Sequence, residues 1–169
     1  MRVVFSGVTP RRAALAVIAA GFATIAGAWL FEHLGYAPCE LCLKQRWAYY
    51  AAGPLALAAL IAAGKGWADA ARASLLVVAA LFAANALFAL YHSGVEAKLW
   101  AGPSGCTGGF VAPASMEGFR RQLQTVQVVR CDEPALRIFG LSLANWNVAI
   151  SGALAIVAAF GARNVGAAR

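Results

Sequence analysis

Two thiols stand three positions apart in Pro38-Cys39-Glu40-Leu41-Cys42-Leu43-Lys44-Gln45-Arg46, and this stretch carries the sequence's clearest chemistry. Placed at the start of a helix, such a pair can close a small disulfide and face one way. A thiol there meets unpaired amide N–H groups and the positive end of the helix dipole, which favours the thiolate, the nucleophilic form. Pro38 suits the first turn because it has no N–H to leave unpaired. Arg46 follows Cys42 by four residues, on the same face one turn deeper. A permanent cation there would stabilise a Cys42 thiolate, and equally a bound acceptor that gains negative charge on reduction. Chemistry at a membrane boundary implies a lipid-soluble partner.

Other uses of the spacing fit less well. Half of a zinc site is one, but Cys106 and Cys131 make no second pair of the same spacing. Covalent haem would want a histidine where Leu43 follows Cys42. A structural bridge enclosing two residues constrains little of an unfolded chain. Redox exchange is the expected role, with no metal expected.

Cys106 lies in Gly105-Cys106-Thr107-Gly108-Gly109 and Cys131 in Arg130-Cys131-Asp132-Glu133. An even number of cysteines in a membrane chain fits two disulfides facing an oxidising compartment. This second pair reads either as a bridge holding a loop or as an exchange site. The glycines around Cys106 suit in-line attack by an external thiolate.

The elements that must position these residues are four apolar runs. The chain has 169 residues, 62% hydrophobic and 12% charged, against roughly half and a quarter in soluble globular chains. One integral membrane domain over residues 1–169 is expected, all-α, with a four-transmembrane-helix bundle as its architecture. A span needs about 20 apolar residues, and runs of that kind lie at about 13–31, 46–63, 73–91 and 146–162, leaving loops at 32–45 and 92–145. Trp29, Trp47, Tyr49, Tyr50, Tyr91 and Trp146 fall at run ends, where amphipathic rings favour the headgroup region. Small residues at helical spacing, such as Ala19, Ala23 and Gly27, either let helices approach closely in lipid or merely fill an alanine-rich helix. In the longer loop Met116, Phe119, Leu123 and Val126 recur at helical intervals, opposite Glu117, Arg120, Arg121 and Gln124. That pattern suits a short amphipathic helix, lying on the membrane surface or packed on the loop itself.

The net charge of +7 comes from Lys and Arg placed singly around the apolar runs, with no basic stripe. This favours membrane flanks over nucleic acid as the reason for the charge. With an inside N-terminus, Arg2, Arg11, Arg12, Lys65, Arg72, Arg163 and Arg169 face inward and as many Lys and Arg face outward. The inward segments are much shorter, so their positive charge is denser, which supports that orientation. It also places all four cysteines on one face. A cleaved signal peptide ending near Ala26-Gly27-Ala28 competes for the first run, but the run continues through Trp29-Leu30-Phe31 to spanning length.

These features together resemble the DsbB family: four membrane helices, a CxxC heading the second with Arg four residues on, and a second cysteine pair before the fourth. Tyr91-His92-Ser93-Gly94-Val95-Glu96, and Cys131-Asp132-Glu133 followed by Phe139-Gly140-Leu141-Ser142, add to the likeness. It covers nearly the whole chain. The resemblance implies a multi-pass protein of the bacterial inner membrane, with cytoplasmic termini and periplasmic cysteines. It implies a protein-dithiol:quinone oxidoreductase serving disulfide bond formation. Cys106–Cys131 would oxidise a DsbA-like periplasmic protein through a mixed disulfide at Cys106. Electrons would pass to Cys39–Cys42 through a transient Cys39–Cys131 bridge, and Cys42, as thiolate beside Arg46, would reduce ubiquinone or menaquinone. The resemblance also places His92 near the quinone, with a role in proton transfer or merely as a hydrogen-bonded helix terminus. Gln45 stands where some relatives carry an acidic residue. The competing functions are a non-catalytic, disulfide-stabilised membrane scaffold and a metal-binding membrane protein.

Overall fold

The computed structural model describes residues 7–103, 115–117, 120 and 129–166. Four long helices dominate them: α1 (Pro10–His33), α2 (Glu40–Lys65), α3 (Ala68–Glu96) and, after a two-stranded hairpin of β1 (Arg137–Ile138) and β2 (Leu141–Ser142), α4 (Leu143–Arg163). All four are long and apolar enough to cross a membrane. Each helix runs past the apolar window that predicts it, because hydropathy senses the hydrocarbon core while backbone hydrogen bonding continues into polar ends. Thus α2 begins at Glu40 and α3 extends over 29 residues. At ~1.5 Å per residue α3 spans about 44 Å, enough to leave its last turn outside the hydrocarbon. The expected surface helix between Ser115 and Val129 falls mostly outside the described residues, as does Cys106.

Helix ends follow local chemistry. Thr9 caps α1 by accepting the Arg12 N–H at 3.3 Å, with Pro10 in the first turn. Gly66 ends α2 in the left-handed region, φ 76°, where a side chain would be strained. Ser142 caps α4 by accepting the Asn145 N–H at 3.2 Å. The turn between the two strands places Phe139 and Gly140 at φ 53° and 82°. The Phe139 ring stands almost wholly exposed.

Each helix packs on its sequence neighbours and α1 closes against α4, while α1 and α3 touch little. The result is a ring of four. The seams are built from small residues at helical spacing, including Ala52, Ala56, Ala59 and Ala62 on α2 and Leu154, Ala158 and Ala162 on α4. Val17, Tyr49, Val78 and Phe82 fill the middle of the bundle. A close approach of α1 and α4 lies at the end away from the dithiol, where a Cβ added to Gly161 would sit 2.3 Å from the Ala13 Cβ. The small stripe read from the sequence lies elsewhere. Ala19 and Ala23 are exposed, and Ala23 and Gly27 line a cavity instead of a seam.

Candidate functional site: a dithiol between a buried histidine and an apolar cavity

The ends of α1, α2 and α3 and the start of α4 meet at one end of the bundle, and the dithiol sits there. Cys39 is the residue capping α2: its Sγ accepts the Cys42 N–H at 3.3 Å. Both thiols are free, with sulfurs 2.9 Å apart. Their surroundings differ. Cys39 is buried and its Sγ lies 3.5 Å from His92 Nε2, while Cys42 lines the cavity.

The Cys42 thiol beside Cys39, more than any other neighbour, holds the Cys39 thiol down to about 5; burial opposes this, and His92 and the Cys42 backbone N–H add to it. Of the two thiols, Cys39 is thus the one whose surroundings favour the thiolate, whereas the resemblance implied a Cys42 thiolate beside Arg46. Arg46 instead directs its Nη1 to Glu32 Oε1 of α1 at 3.0 Å, and Cys39, not Cys42, occupies the helix N-cap where unpaired N–H groups converge.

Cys42, Gln45, Arg46 and Tyr49 of α2 line one wall of a cavity of about 440 Å³. Ala23, Gly27 and Phe31 of α1 and Trp146, Asn147 and Ile150 of α4 form others, and Ile138 and Phe139 of the hairpin stand at its edge. The lining is almost wholly apolar apart from the side chains of α2, Thr24 and Asn147. Such a space suits a flat apolar ring system that enters from lipid.

His92 is buried and is not among the described residues that line this cavity. It faces the dithiol on one side and Gln45 on the other, with Gln45 Nε2 3.1 Å from its Nδ1. Behind Gln45 runs a polar chain through the bundle. Asn147 Nδ2 donates to Gln45 Oε1 at 2.6 Å, Tyr49 donates to Asn147 Oδ1 at 2.5 Å, and Asn85 Nδ2 donates to Ser151 Oγ at 2.9 Å. Glu96 Oε1 lies 3.9 Å from His92 Nε2.

Cys131 is buried in one cluster with Cys39, Leu41 and Val95 and is itself disulfide-bonded. Beside it, Asp132 binds both Arg130 and Lys98, which hold its carboxyl well below the usual carboxylate range. The structure thus brings Cys39, Cys42, Cys131, Arg46 and His92 to one end of the bundle. Glu32, Asn85 and Ser151 escaped the sequence reading. Asn85 and Ser151 had left a signal as polar residues inside apolar runs, where unpaired polar groups are costly.

The Cys39, Cys42 and His92 ligand atoms all lie within 4.8 Å of one another and could hold a metal ion. Two thiolates on one tetrahedral zinc would stand about 3.8 Å apart given Zn–S bonds of ~2.3 Å. The sulfurs are closer than that, at 2.9 Å.

Comparison with known proteins decides the affiliation. The family profile described as Disulfide bond formation protein DsbB matches residues 10–161, nearly the whole chain. The chain belongs to the DsbB family. It is accordingly a multi-pass membrane oxidoreductase of disulfide-bond formation. A DsbB-like four-helix bundle is what the structure displays. The chain is also similar to an uncharacterized protein of Rickettsia prowazekii (strain Madrid E), 23% identical over 140 residues, 81% of this chain and 78% of the other. No solved structure matches.

Proposed function

We propose that this DsbB-family protein oxidises a periplasmic DsbA-like dithiol protein and passes the electrons through its two cysteine pairs to a membrane quinone. One observation carries the reading: the Cys39–Cys42 dithiol lies between disulfide-bonded Cys131 on one side and the apolar cavity on the other. That is the arrangement a relay from protein thiols to a lipid-soluble acceptor needs.

The steps balance. A donor thiolate attacks Cys106 of a Cys106–Cys131 disulfide, giving a mixed disulfide, and the donor's second thiol resolves it. The donor leaves oxidised, and Cys106 and Cys131 become thiols. Cys131 then attacks Cys39 of a Cys39–Cys42 disulfide, and Cys106 resolves the Cys39–Cys131 bridge, restoring the loop disulfide and leaving Cys39 and Cys42 reduced. Reclosure of Cys39–Cys42 releases two electrons and two protons. A quinone supplies the capacity to accept both, and its strong oxidising potential suits a chain that must reoxidise a DsbA-type disulfide of about −120 mV.

The residues fit such a ring. Cys42 meets it from the cavity wall, Arg46 offers a cation to oxygen that gains charge, and Gln45 and Asn147 offer amides. His92 acts on the dithiol, through Cys39. The orientation that serves this function has cytoplasmic termini and periplasmic cysteines.

The test is ubiquinone reduction by purified protein given a reduced DsbA-type partner, wild type beside Cys39→Ser. Turnover in wild type and none in the variant is expected. Wild-type protein that fails with ubiquinone and menaquinone alike would remove the quinone from the reading. A metal site is the second reading, favoured by the Cys39, Cys42 and His92 cluster, and stoichiometric zinc in protein purified in the reduced state would support it.

A further inference from the structure

We propose that Gln45 and Asn147 are positioning residues that hold His92 as the Nε2–H tautomer, so that His92 donates to the Cys39 thiolate. The inference deepens the function proposed above by assigning a control over the dithiol, but it rests on hydrogen-bond direction alone.

A neutral imidazole has one donor and one acceptor nitrogen, and its partners decide which is which. The polar chain and the partners of Nε2 fit one answer. At the far end, the hydroxyls of Tyr49 and Ser151 each carry one proton and need an acceptor. The Asn85 amide donates to Ser151 Oγ, so it takes no proton from it. Asn147 Oδ1 lies 2.5 Å from the Tyr49 hydroxyl and 3.1 Å from the Ser151 hydroxyl, and accepts. The Asn147 amide must then point its Nδ2 at Gln45 Oε1, 2.6 Å away. Gln45 in turn presents its Nε2 to His92 Nδ1 at 3.1 Å. Nδ1 can only accept, so the proton sits on Nε2.

At the near end, the side of His92 that carries Nε2 faces acceptors. Cys39 Sγ lies at 3.5 Å and Glu96 Oε1 at 3.9 Å. A backbone hydrogen bond to Cys131 adds a third partner for His92. Cys39 Sγ already accepts the Cys42 N–H, which marks it as an acceptor toward His92 as well. The reversed chain, with every amide flipped, would point Gln45 Oε1 at an Nδ1–H. There the Tyr49 hydroxyl could still pair with Ser151 Oγ, 3.2 Å away, but Nε2 would stand bare among acceptors. Unpaired donors and acceptors in a buried site cost too much for that arrangement to compete. The groups that face the Cys39 and His92 pair with charge or a titratable proton are Cys42, Glu96 and, through Glu96, Arg137.

The chain holds two histidines, so ¹⁵N-histidine labelling of the full-length reduced protein gives two imidazoles, and His33→Asn assigns them. The expected His92 spectrum has a protonated-type Nε2 and an unprotonated-type Nδ1. In Gln45→Leu and in Asn147→Leu the two tautomers should mix. Cys39 alkylation at pH 6, read by peptide mass spectrometry, should fall about twofold, since one lost hydrogen bond to the thiolate, worth about tenfold in its ionisation, leaves a thiol otherwise held at about 5 half protonated there. Gln45→Glu should instead draw the proton to Nδ1, since a carboxylate there can only accept, and leave alkylation as slow as in the leucine variants. An Nδ1–H tautomer in wild type would overturn the proposal, with no variant needed. So would an unmixed Nε2–H tautomer in both leucine variants. Neither measurement involves quinone or donor protein, so failed quinone turnover leaves the tautomer result standing, and the reverse holds too.

Discussion

Cys39 and Cys42 differ in what surrounds them, and that difference decides their roles. Cys39 is buried against His92, while Cys42 meets the cavity. A thiol held down to about 5 is ionised at every pH above that value, so its alkylation should be near plateau by pH 7. An ordinary thiol, near 8.5, would still be gaining reactivity there. A rate of iodoacetamide attack on Cys39 that keeps climbing from pH 7 to 9 would contradict this assignment. Arg46→Ala should leave both bridges formable yet raise the apparent quinone KM roughly tenfold or more, the scale of a lost charge-assisted contact. Unchanged affinity and rate would place Arg46 outside the site. The CxxC and Arg46 were legible because they are neighbours in sequence. Glu32 was not, because its pairing with Arg46 joins two helices, and no periodicity within one helix reports a partner on another.

Hydropathy made the four helices plain at the scale of elements, and short connections set α1, α2 and α3 side by side, while the long segment between α3 and α4 leaves the place of α4 to the fold. Which face of each helix packs inward was less plain. In α1 the stripe Ala19, Ala23 and Gly27 turns away from the seams, while Ala13, Ala14 and Val17 are buried. When nearly every face is apolar and small, amphipathicity cannot point to the core. The contact that does depend on a small residue is Gly161 against Ala13, where an added Cβ would come within 2.3 Å. Gly161→Leu should therefore push α1 from α4 and cost about 1–3 kcal/mol, as overpacking does. Thermal unfolding in detergent, with wild type alongside, checks it; an unaltered midpoint would mean that the helices part without penalty.

Across the whole molecule, the proposed relay needs two exchange steps at one end of the bundle, and Cys131 packed with Cys39 brings one cysteine of the second pair to the first. Cys106→Ser should abolish oxidation of the donor protein while leaving the Cys39–Cys42 pair able to reduce added quinone when supplied with a small-molecule dithiol. If that variant still oxidised a reduced DsbA-type partner at the wild-type rate, the two-pair route would be wrong. The existence of a second pair was legible in the sequence. Its proximity to the first was not, because 92 positions separate Cys39 from Cys131 and only the fold closes such a gap.

The cavity wall supplied by α1 has a consequence for how this protein can diversify. A Cβ built on Gly27 meets nothing within 4 Å, so side chains can grow there into the cavity without disturbing a helix contact. Under the proposed function, changes at this position would subtract volume from the acceptor's space, and selection for one lipid-soluble acceptor over another would act through α1 in single steps, with the cysteine machinery on the opposite wall left untouched. The same independence makes Gly27 a place to engineer resistance to an inhibitor that competes for the cavity.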